Sequence, residues 1–67
     1  MSLVKTIDNG NLKGKIFNTK YGYYFRIYFN KKEIAQMYYN APTLEQAEEE
    51  LMNTFDIIDE EKVNKLW

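Results

Sequence analysis

Cysteine and histidine are both missing from the 67 residues, proline occurs once and glycine three times. The first absence excludes disulfides, and the two together remove the usual zinc-ligand sets. They also remove most nucleophile and base pairs, so catalysis is the poorest fit to this chain. Glu48, Glu49 and Glu50 form a carboxylate run, but consecutive helical residues point about 100° apart and cannot converge on one atom. No glycine-rich phosphate loop is present either, because Asp8-Asn9-Gly10 is accounted for as a turn. The expectation is a non-enzymatic protein with no cofactor and no metal. Long apolar runs are lacking too. None approaches the ~18 residues of a membrane-spanning helix, and the N-terminus carries no basic and apolar leader. A cytoplasmic protein without a membrane partner is expected.

What the chain does have is aromatic residues, 16% of the total. A domain this short rarely buries enough apolar surface to fold without a staple, so large rings, a second chain or both must compensate. The rings concentrate in Tyr23-Tyr24-Phe25-Arg26-Ile27-Tyr28-Phe29, a composition suited to a pleated, half-buried strand. Alternation places Tyr23, Phe25, Ile27 and Phe29 on a core face and Tyr24, Arg26 and Tyr28 on an outer face.

The flanking segments read as neighbours of that strand. Leu3 to Ile7 is a short strand candidate, and Asn9-Gly10 is a preferred hairpin pair. Leu12 to Asn18 then returns with Leu12, Gly14 and Ile16 on one face and Lys13, Lys15 and Phe17 on the other. Gly14 weakens this strand or permits a bulge. After a turn at 18–22 and the central strand, Asn30, Lys31 and Lys32 reverse the chain into a last strand, 33–39. A loop of two or four residues turns Ile34, Gln36 and Tyr38 inward; a loop of three turns in Ala35, Met37 and Tyr39. The second choice buries no amide and is preferred.

After Pro42 the period changes from strand to helix. Thr43 supplies an N-cap hydroxyl, and Gln46 follows at capping-box spacing. Leu44, Ala47, Leu51, Phe55 and Ile58 make a narrow apolar stripe, with Met52 at its margin. A helix over 44–58 packed on Phe25, Ile27 and Phe29 follows. Asp59 could cap a short terminal helix bearing Val63, Leu66 and Trp67, or the first helix could continue through a kink. The predicted fold is α+β in a single domain, residues 1–67: an antiparallel three- or four-stranded meander with one helix on one face.

Net charge is only −1, but it is unevenly spread. Residues 1–40 carry seven basic groups against Asp8 and Glu33, a balance of +5; residues 41–67 carry two against eight acids, a balance of −6. If the halves form different faces, the molecule has two electrical ends. Lys13, Lys15, Tyr24, Arg26 and Tyr28 would form a basic patch interleaved with rings, suited to phosphates and bases. The competing explanation is a partly covered face with snorkelling lysines. Glu45, Glu49 and Asp56 fall on one side of the helix, as a solubilising stripe or as a match for a partner's basic groove. Trp67 is either tucked against the sheet or an interface anchor.

Gly22-Tyr23-Tyr24-Phe25-Arg26-Ile27-Tyr28-Phe29-Asn30-Lys31-Lys32, followed by Thr43-Leu44-Glu45-Gln46-Ala47, resembles the arm-type DNA-binding domain of phage tyrosine recombinases over residues 12–58. The resemblance implies a three-stranded sheet backed by one helix. It also implies a sheet face that enters the major groove through Lys13, Lys15, Tyr24, Arg26 and Tyr28. The chain departs from that family in having no catalytic domain and in its acidic helix. The function expected first is a protein-binding module, a small phage or mobile-element regulator or inhibitor. The alternatives are DNA binding by the basic sheet face, and a structural subunit of a homo-oligomer, with a homodimer formed through the outer face.

Overall fold

The structure is a computed structural model that describes residues 2–58. Strands β1 (Ser2–Asn9), β2 (Leu12–Thr19), β3 (Gly22–Phe29) and β4 (Lys32–Gln36) form one antiparallel sheet in the order β1-β2-β3-β4, and helix α1 (Leu44–Ile57) follows. The fold is α+β, a four-stranded meander with a C-terminal helix. The expected terminal helix from Asp59, and Trp67 with it, lie outside the described residues.

The core follows directly from alternation. Phe25, Ile27 and Phe29 of β3 and Leu12 and Ile16 of β2 are buried on one face, and Ala47, Leu51 and Phe55 of α1 meet them there. Tyr23, Leu44 and Ile58 are only partly buried at the margin of this cluster. Thr43 caps the helix as its sequence position demands: its extended backbone stands outside the first turn, and its hydroxyl oxygen accepts from the Gln46 amide at 3.1 Å. At the other end the Ile58 amide donates to the carbonyls of Thr54 and Phe55. Gly14 has a different role from the one its propensity suggests. A Cβ there would lie 2.7 Å from both Leu51 methyls and 2.9 Å from Phe55 Cζ, so the missing side chain is what lets α1 settle on the sheet. The bulge falls instead in β1, where the register slips between Leu3 and Lys5.

The first hairpin turn is shifted from its expected place, and the third is tighter than expected. In the first, Asn9 pairs with Leu12, so Gly10 and Asn11 are the central residues, one position beyond Asn9-Gly10; Gly10 has φ 62°. In the third, Phe29 pairs with Lys32 around Asn30 and Lys31, whose φ values of 49° and 68° are the type I′ pattern. The loop is thus two residues, not three. A bulge between Glu33 and Ala35 then reverses the parity, pairing Ile27 with Ala35 and Arg26 with Gln36. Ala35 and Met37 reach the core side as expected, by this different route, while Ile34 packs partly against the core rather than beside Tyr28. Lysine in the left-handed region carries a steric cost that glycine avoids. Lys31→Gly is expected to raise the unfolding free energy by about 0.5–1 kcal/mol, read from the urea midpoint; an unchanged midpoint would argue against a strained turn.

β4 also ends sooner than 39. The Met37 amide donates to Phe25 O at 2.9 Å, after which pairing lapses and resumes between Tyr23 and Ala41, at 2.8 and 2.7 Å. Continuous pairing would put Tyr39 opposite Tyr23; two extra residues intervene, so Tyr38, Tyr39 and Asn40 bow outward. Tyr39, expected in the core, is therefore exposed, and Ala41 takes the buried place. A Cβ on Gly22 would stand 2.4 Å from Ala41 O, leaving room there only for glycine against a backbone.

Candidate functional site

The face of the sheet turned away from α1 is built by cross-strand rows. Asp8, Lys13 and Tyr28 form one row, Thr6, Lys15, Arg26 and Gln36 the next, and Leu3, Phe17 and Tyr24 a third. Two-residue alternation and hairpin register suffice to bring Lys13, Lys15, Tyr24, Arg26 and Tyr28 together, as the sequence predicts.

These side chains order one another. Phe17 and Tyr24 stack with centroids 5.3 Å apart and planes 24° from parallel. The Arg26 guanidinium lies 5.5 Å from each of those rings, and Lys15 Nζ is 5.1 Å from the Tyr28 centroid. Each such contact contributes about 0.5–1 kcal/mol at an exposed site, so the face is held in place without being sealed. Arg26 Nε approaches Glu33 Oε1 at 3.5 Å but has no hydrogen-bond partner among the described residues. The Tyr28 hydroxyl, which accepts from the guanidinium, raises the Arg26 pKa above its usual value; Tyr24 and Glu33 add to this, and desolvation opposes it. Arg26 is thus a fixed cation. At the sheet edge, Lys13 and Asp8 form a looser ion pair of 4.0 Å.

Glu45, Glu49 and Asp56 are exposed on α1, which covers the other face of the sheet. Among the described residues, the acids of α1 and the cations Lys13, Lys15 and Arg26 therefore lie on opposite sides of the sheet. Lys5 is the exception that fits the rule. Its partner on β2 is the buried Ile16, so it sits on the helix side, where it pairs with Glu48 at 2.8 Å. Trp67 lies outside the described residues.

Several participants were not singled out by sequence. Phe17 belongs to the stack at the centre of the face. Lys31 joins Lys13, Lys15, Tyr28, Asn11 and Asn30 around an open hollow of about 560 Å³ at one end. At the opposite end Tyr21, Tyr24, Tyr38 and Tyr39 border a second hollow of about 540 Å³ with Met37. Tyr21 and Tyr38 are 72% and 87% exposed. The outward bow that presents Tyr38 is tied at both sides. The Thr19 hydroxyl lies 3.3 Å from Asn40 Oδ1, and the Tyr39 hydroxyl has its pKa raised by desolvation and by a hydrogen bond with Glu50. Only Asn30 offered a local signal, as a residue tolerated in a tight turn. Among the described residues no group of three or more His, Cys, Asp or Glu could hold a metal ion, and no helix is long and apolar enough to cross a membrane.

Comparison of the chain with protein-family models, curated proteins and solved structures finds no significant match. The likeness to arm-type recombinase domains consequently rests on the residues quoted for it.

Proposed function

We propose that the protein is a non-enzymatic binding module that holds a macromolecular partner on the outer face of its sheet, acting as a small regulator or inhibitor of that partner. One observation carries this reading. The side chains turned away from α1 form an ordered row of rings and cations, Phe17, Tyr24, Arg26, Tyr28 and Lys15, that no other described element covers. Tyrosine and arginine are enriched among the residues that anchor interfaces, tyrosine because a large ring has few rotations to lose and arginine because its planar fork makes several directed contacts. A partner protein with an acidic surface fits this composition.

A second reading, nucleic-acid binding, is favoured by the separation of charge, with the acids of α1 directed away from the lysine-bearing face. Capture from a cell extract by wild type and by Tyr24→Ala/Tyr28→Ala tests the common claim. Loss of the partner in the double variant is expected, and identical sets of captured molecules would sink it. For nucleic acid, binding should weaken steeply with salt and fall on Arg26→Ala or Lys15→Ala.

A further inference from the structure

The two hollows lie toward opposite ends of β3, Tyr28 lining one and Tyr24 the other. At one end are the ammonium groups of Lys13, Lys15 and Lys31, and at the other the exposed rings of Tyr21 and Tyr38. Arg26 and the Phe17–Tyr24 stack lie between them. From Tyr28 to Tyr24 the strand advances roughly 13 Å, so lysines and tyrosines are spaced for a ligand longer than a single ion. We infer that this face binds single-stranded nucleic acid, with phosphates in the lysine hollow and bases against the tyrosines. The inference rests on the outer face being the binding surface.

Three observations converge on that ligand class. The lysine hollow has little counter-charge of its own: Lys13 has only the loose pair with Asp8, and no ion pair joins Lys15 or Lys31 to a carboxylate among the described residues. Its complement is an anion. Lys31 holds a left-handed backbone, φ 68°, at a turn position that glycine fills without strain. Backbone strain of this kind concentrates at binding sites, which makes Lys31 a position to test for contact. Finally, the far end presents rings on which bases can stack, Tyr38 at 87% exposure and Tyr21 with the Lys20 ammonium 5.0 Å from its centroid. A duplex hides its base faces in the stack and an acidic protein surface has few, whereas an unpaired strand offers one per nucleotide alongside its phosphates.

The test uses the full chain with a labelled oligothymidylate of about ten nucleotides, within the range a small single-strand module occupies. A duplex of equal length and polyglutamate serve as competitors, at several salt concentrations. The single strand is expected to bind tightest. Lys31→Gly, which relaxes the turn, should weaken binding and reduce the slope of log K against log salt by about 0.7. Tyr38→Ala, at an exposed ring, should weaken binding about fivefold or more and leave the slope unchanged. Equal or tighter binding of duplex overturns the inference in favour of groove recognition, and equal binding of polyglutamate overturns it in favour of an acidic protein partner. If no oligonucleotide binds at low salt while Tyr24→Ala/Tyr28→Ala still abolishes capture, only the nucleic-acid inference falls. If capture is also unchanged, the outer-face reading falls with it.

Discussion

Gly22→Ala is expected to lower the unfolding free energy by about 3 kcal/mol or more. Gly22 has φ +130°, which L side chains rarely adopt, and the new methyl would stand 2.4 Å from Ala41 O. That oxygen cannot step aside, because it accepts from the Tyr23 amide at 2.8 Å in the bridge that closes the segment after β4. Strain and collision therefore act together, and relief of either breaks the bridge. Urea denaturation monitored by tyrosine fluorescence measures the loss. Asn30→Gly is the control, since both residues tolerate the left-handed turn conformation at φ 49° and little change is expected. A loss below about 1 kcal/mol for Gly22→Ala would mean that residues 40–41 shift freely.

Leu51→Ala is the second large effect, about 2–5 kcal/mol. Leu51 is fully buried beneath the sheet, and its methyls occupy the space left by Gly14. The converse change, Gly14→Ala, overfills the same space at a cost of about 1–3 kcal/mol. The obstructing atoms are the ends of side chains, which can yield a little. Because the two changes act on one contact, the double variant should be less destabilised than the separate losses predict. Strict additivity would show that residue 14 and Leu51 do not meet. For a domain whose core supplies only about 3–5 kcal/mol in all, Leu51→Ala alone leaves a substantial unfolded fraction at equilibrium.

The contrast between these positions explains what was legible in advance. β3 and α1 announce themselves because their signals are local: alternation in one, and an N-cap followed by a stripe in the other. The outer row of Lys13, Lys15, Tyr24, Arg26 and Tyr28 was legible for the same reason, since parity and antiparallel pairing determine it. Gly14 was not, because its meaning depends on where a helix 37 residues away comes to rest. Nor were the bulge at β4 and the outward bow of residues 38–40. Either parity of β4 places some apolar residues inward, and only pairing with β3 decides among them. Tyr38 and Tyr39 suffered most from this. Their composition reads as strand, whereas the pairing with Tyr23 resumes only at Ala41, which takes the buried place.

The irregularities of the outermost strands have a consequence for how copies of this chain meet. A straight, unpaired edge is a template for adding strands without limit, the route to fibrils. β1 is interrupted by its slip between Leu3 and Lys5, and β4 is five residues long, kinked by its own slip and followed by the bow of residues 38–40. Neither border offers a long run of evenly spaced amides and carbonyls. Edge-to-edge sheet growth is thereby discouraged in a protein rich in β-forming rings.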